Sequence, residues 1–223
     1  MTYDKEAIAD LLEQVAQEGD PKLYTSLEEG LAAIQALPPA WEPLRRASDG
    51  RRQTLTALWS EAGGKLPKTL KMLERKVVGF AILTTAARQP SLLYLLGKGR
   101  DLLAQRGFWP ASMLPDVAKQ LPVDLLPFYR LHDGWVSVFG GEDGPLPSPE
   151  WKIIGRAPDI NGFLQIYANG AQGLGFDLDG TPATPVAIDA DEPEVEELED
   201  FWADLDDRLS GTMRSLPEVP SGM

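Results

Sequence analysis

A chain of 223 residues can bury one substantial core or two small ones, and its net charge of −13 makes it acidic overall. Cysteine is absent and His132 is the only histidine, which excludes disulfides, thiolate nucleophiles and any multi-histidine metal site. No run reaches the roughly 18 apolar residues of a spanning helix, and the N-terminus alternates acids with apolar residues instead of opening on a basic signal segment, so a cytoplasmic protein with no membrane partner is expected.

The charge is unevenly placed. Residues 45–106 hold thirteen Lys or Arg against four acids, near +9, whereas residues 111–223 hold six basic residues against twenty-one acids, −15. The C-terminal half should repel nucleic acid and attract a basic partner.

In chain order, Ile8, Leu11, Leu12 and Val15 mark an amphipathic helix over 4–17, stopped by Gly19-Asp20-Pro21. Ser26-Leu27-Glu28-Glu29 is a capping box opening a second helix, and Pro38-Pro39 ends it. Residues 51–62 read as a third helix. Residues 67–88 read as the longest, although 77–83 alone could be a buried strand, since short apolar runs do not distinguish the two. A further helix is expected over 91–105. This first region, 1–110, is expected to be all-helical. Lys68, Lys71, Arg75 and Lys76 would form a positive face on its fourth helix, for which docking onto the chain's own acidic half is preferred over nucleic acid.

From 111 the text changes. A short helix over 113–120 leads to one capped by Asp124 and carrying Phe128, Tyr129 and Leu131, and Gly134 sits where a helix end wants positive φ. Trp135, Ser137 and Phe139 alternate with Val136 and Val138 as a half-buried strand. Strands over 151–154, 163–167, 174–178 and 185–188 are separated by Asn161-Gly162, Asn169-Gly170 and Asp179-Gly180, which signal an antiparallel meander. A closing acidic helix is expected over 193–209, with Val195, Leu198, Phe201, Trp202, Leu205 and Leu209 on its inner face. Residues 212–223 are read as a mobile tail.

The order Leu121-Pro122, the short helix with Phe128, then Asp133-Gly134-Trp135, Trp151, the strand 175–178 and the strand 186–188 before an acidic helix resembles the SUKH superfamily. That superfamily groups bacterial immunity proteins against secreted toxins with fungal regulators of cell-wall synthesis. The resemblance covers 111–211 and implies an α+β fold in which a SUKH-like antiparallel sheet flanked by helices follows the helical N-terminal region. It implies a non-enzymatic protein without cofactor that occludes a cognate toxin, often a basic nuclease, inside the producing cell. The alternative it carries is a regulatory scaffold binding endogenous partners.

An acidic surface suits the first role, because it covers a phosphate-holding groove and speeds association. The expected contact residues are Glu142 and Asp143 in the Gly-rich loop after the first strand, and Glu196, Glu197, Asp200 and Asp204 on the closing helix. Set against this, charge runs commonly only solubilise. Asp177-Leu178-Asp179-Gly180 lacks the ligand spacing of a calcium loop, and His132-Asp133 are adjacent, an arrangement that rarely gives a catalytic dyad its orientation. Neither a metal site nor a catalytic residue is expected.

Overall fold

A computed structural model gives the architecture and describes residues 3–97, 99–139, 143–154, 162–189, 194–216 and 218. It is α+β, with helices in the N-terminal half and antiparallel sheet flanked by helices in the C-terminal half. Among the described residues no helix is long and apolar enough to cross a membrane.

The first helices form where their caps and periodicity place them. α1 (Lys5–Gln14) is capped by Asp4, whose carboxylate accepts from the N–H groups of Glu6 and Ala7 at 2.9 and 3.3 Å, and it buries Ala7 and Leu11. β1 (Lys22–Tyr24) precedes α2 (Leu27–Ala33), which Ser26 caps through the N–H of Glu29. A 3₁₀ segment, Pro39–Asp49, leads to α3 (Arg51–Leu58), and α4 (Pro67–Lys76) begins with its proline at a position where the missing N–H costs nothing.

The N-terminal half is not all-helical, which corrects the expectation for 77–105. α4 stops at Lys76, and the chain continues as β2 (Val77–Thr84), β3 (Ser91–Leu96) and β4 (Leu103–Gly107). The physical reason is two-sided burial. Val77, Phe80, Ile82, Leu92, Tyr94 and Leu96 enter one core, while Val78, Ala81, Leu83, Leu93 and Leu95 enter a second core with Ala7, Leu11 and Val15 of α1. A strand covered on both faces reads as a continuous apolar run, with no period of two to betray it. Gly79 therefore serves no helix crossing; it sits at a register irregularity in β2, with the Tyr3 hydroxyl placed where it would collide with a Cβ.

After α5 (Leu126–Tyr129), β5 (Trp135–Ser137) completes a five-stranded antiparallel sheet in the order β1-β2-β3-β4-β5. This sheet takes strands from both sides of residue 110, with Gly107 opposite Trp135. Gly134 has φ +98°, and a Cβ there would collide with Pro147.

The expected meander forms the second sheet. β6 (Gly144–Pro145), β7 (Lys152–Ile154), β8 (Phe163–Asn169), β9 (Gln172–Asp177), β10 (Thr184–Asp189) and β11 (Glu194–Glu197) assemble in the order β11-β10-β9-β8-β6, with β7 also pairing β8. Gly170, at φ +55°, turns β8 into β9. The closing helix is shorter than expected: α6 is Phe201–Thr212, and 194–197 is edge strand instead of helix. Val195 packs beside Val186 and Ile188 across the β10–β11 pairing, and Asp200 then caps α6 through the N–H groups of Trp202 and Ala203 at 2.9 and 3.1 Å. α6 lays Phe201, Leu205 and Leu209 in the same large core as Leu174, Phe176 and Ala187 of the second sheet and Tyr94 of the first.

Candidate functional site

His132, at the end of the α5 turn, is an interior residue with no exposed surface. Its Nε2 lies 2.7 Å from the Tyr94 hydroxyl, and Trp59 Nε1 donates to that same hydroxyl at 3.2 Å. The Trp59 N–H occupies one lone pair of Tyr94, and the tyrosine hydroxyl and Nε2 share the second hydrogen bond. Burial pushes the imidazole down to about 3 and raises the Tyr94 phenol. Asp133 turns the other way and accepts from the Ser148 N–H at 2.8 Å. The two neighbours form no dyad, and the only histidine of the chain stands neutral among Trp41, Trp59 and Trp135.

A charged cluster lies where β4 meets the segment leading into β7. Arg106 of β4, its side chain 4% exposed, pairs twice with Glu18, at 2.7 and 2.8 Å, and donates through Nε to Ser91 at 3.0 Å. Its guanidinium also lies 4.5 Å from the centroid of the Phe108 ring. Arg88 bridges Glu18 at 3.3 Å and Glu150 at 2.7 Å. Burial opposes ionisation of Glu18, but the hydrogen bonds and charge of Arg106, with Thr85 and Arg88, hold its carboxyl below the ordinary value. Every charge in this cluster is answered within it.

The acidic half divides the same way, into residues the protein uses itself and residues it leaves to solvent. Asp206 of α6 is buried and accepts from the backbone N–H groups of Lys68 and Thr69, capping α4 from outside. Asp207 pairs with Lys68 at 2.7 Å, Arg75 pairs with Glu218, and the Lys76 ammonium donates to the Leu216 carbonyl. The basic face of α4 is thus docked on the acidic C-terminal segment, as the charge asymmetry suggests, through three of its four cations.

The residues expected to contact a partner separate on the structure. Asp200 is the α6 cap, and Asp204 pairs with Arg208 at 2.6 Å. Asp143 precedes β6, at the opposite edge of the second sheet from β11, and its charge and that of Asp204 both bear on the Tyr167 hydroxyl. Glu142 lies outside the described residues. Glu196 and Glu197 lie on the β11 edge strand, on opposite faces of it, and Glu199 follows just after; all three are exposed and without an ion-pair partner among the described residues. Glu199 was not singled out by the sequence, because on a continuous helix it is one acid among many.

Two sizeable clefts were also not foreseen. One of about 760 Å³ is walled by prolines of the 38–43 stretch, Trp109 and Pro127, with Glu61 and Arg130 at its rim. The other, of about 770 Å³, lies between α2, the start of α3 and β2, and contains Arg51. The signal for the second was present: an arginine at the first position of a helix opposes the helix dipole, so its placement asks for another cause. Among the described residues no three acidic or histidine side chains converge as metal ligands. Comparison of the chain with protein-family models, curated proteins and solved structures finds no match in any of the three.

Proposed function

We propose that this is a non-enzymatic binding protein of the SUKH immunity type, which occludes a basic cognate toxin through the acidic edge of its second sheet. The observation that carries the reading is the contrast among the acids. Asp200, Asp204, Asp206 and Asp207 are engaged in holding α6 and α4, while Glu196 and Glu197 on the terminal strand and Glu199 just after it stand exposed and without an ion-pair partner among the described residues. Charges on an edge strand also discourage fortuitous strand pairing, so the partner engages this edge through side-chain charge. A neutral, interior His132 and a fully paired Arg106 cluster support a binding role over a hydrolytic one.

The experiment is a pull-down of tagged protein from cells carrying the toxin-secreting system, followed by binding kinetics with the recovered partner. One stoichiometric partner with a toxic domain is expected. Lys substitution at Glu196, Glu197 and Glu199 together should cut the association rate roughly tenfold or more at low salt and leave thermal stability unchanged. Asp200→Ala, which removes a cap worth about 1 kcal/mol, should lower stability with little effect on the rate. Unchanged association in the triple variant would overturn the acidic-edge reading, and recovery of several housekeeping proteins instead would move the assignment to a regulatory scaffold.

A further inference from the structure

We propose that the 770 Å³ pocket beside α2 binds a small organic monocarboxylate with an apolar tail, its carboxylate held by Arg51 and its tail laid along Tyr3, Leu27, Leu31 and Phe80. This site is separate from the acidic edge and does not depend on it.

Arg51 is the anomaly. Its Nε is buried and receives no hydrogen-bond partner among the described residues, and it makes no ion pair there. Two neighbouring arginines are satisfied, Arg45 by Glu42 at 3.0 Å and Arg52 by Glu74 at 3.2 Å, and Arg46 is exposed to water. Burial lowers the Arg51 pKa from its ordinary value, yet a guanidinium starts so high that it stays charged at any physiological pH. A partly desolvated cation without a carboxylate is costly, and an incoming anion relieves that cost. The α3 N-terminus, which has no side-chain cap, adds positive potential at the same place.

The rest of the pocket selects the tail and the charge. Its walls are largely aliphatic and aromatic, and its size lies within the roughly 300–1,000 Å³ of small-molecule sites. Glu28 lines it from the first turn of α2 and forms no ion pair with Arg51. Arg45, the other cation of the lining, is already paired with Glu42, so the charge of Glu28 disfavours a dianion such as a phosphate monoester and leaves a monoanion as the better ligand. The planar fork of arginine matches a carboxylate bidentately.

The test is isothermal titration of the full chain with decanoate, below its micelle concentration, with decanol as the uncharged counterpart. Saturable 1:1 binding of decanoate is expected, weakening about fourfold for each methylene removed from the tail. Arg51→Met should weaken it roughly 10- to 100-fold, while Arg130→Met, in the other cleft, should leave it unchanged. Absence of saturable binding, equal binding by Arg51→Met, or decanol binding as tightly as decanoate would each overturn the proposal. Should Arg51→Met lose its fold by circular dichroism, Leu27→Trp carries the test by filling the pocket. Abolished binding then supports the site, and unchanged binding overturns it.

Discussion

The carboxylate of Asp206 accepts hydrogen bonds from the backbone N–H groups of Lys68 and Thr69 at 2.8 and 2.7 Å, so that a residue of the last helix caps a helix formed far earlier in the chain. α4 has Leu66 at its own N-cap position, with no side-chain cap bond, and the distant aspartate replaces one. Its neighbour Asp207 reaches Lys68 at the surface, with about half of each side chain exposed. The buried contact and the exposed one belong to the same interface but differ in energetic weight.

Asp206→Ala should therefore destabilise the protein by about 2–3 kcal/mol, because two N–H groups lose their acceptor at a buried position. Asp207→Ala should cost no more than about 0.5 kcal/mol, as exposed ion pairs do. Urea denaturation with unchanged slope measures both. Equal effects of the two substitutions would show that the long-range cap does not hold α4 to α6.

His132 makes acid stability a measure of its burial. Its imidazole titrates in the folded protein at about 3, below the ordinary 6.5, because burial disfavours the charged form. Above pH 6.5 the ring is neutral in both states and contributes no pH dependence. Between 6.5 and 3 the unfolded chain binds a proton that the folded chain does not, so stability falls as pH falls, by up to about 1.4 kcal/mol per pH unit. His132→Asn keeps an acceptor for the Tyr94 hydroxyl and removes the titration. The stability difference between wild type and variant should shrink by roughly 1 kcal/mol per unit from pH 6 to pH 4. A difference constant with pH would mean that the folded protein protonates the ring freely.

Much of the second sheet was legible, because it carries its own punctuation. Asn169-Gly170 turns β8 into β9, and the strands of the meander fall where their apolar runs and Gly-containing turns place them. The first sheet was not legible. Ser91-Leu92-Leu93-Tyr94-Leu95-Leu96 is buried at every position, and a leucine-rich run without alternation reads as helix until one knows that α1 covers one face and the aromatic core the other. Periodicity failed again at 193–209. Val195 and Leu198 fit a helical stripe, but pairing with β10 claims 194–197 and Asp200 starts the helix afresh. Of the acids expected to contact a partner, the sequence could not tell which are paired within the chain, since what separates Glu197 from Asp204 is Arg208 across one helical turn. Arg51 was legible only as a misplaced charge.

The Arg106–Glu18 pair gives the sharpest test of how the turn after α1 is joined to β4, because it is nearly dry. Removing one partner leaves the other charge buried beside Ser91, Phe108 and Thr85. Glu18→Gln and Arg106→Met should each cost about 3 kcal/mol. The double variant should cost well under their sum, leaving a coupling of about 2 kcal/mol or more in a double-mutant cycle. The coupling should persist at high salt, because a pair with so little exposure is poorly screened. Its pH dependence has a defined sign. Since Glu18 titrates below its ordinary value in the folded state, the stability it confers is complete above about 4.5, the unfolded value, and is lost as pH falls toward the lowered folded value. In the Glu18→Gln background that acid-side loss should be smaller by one carboxylate. An additive cycle, with no coupling beyond about 0.5 kcal/mol, would reduce the cluster to a surface ion pair and remove the reason for its burial.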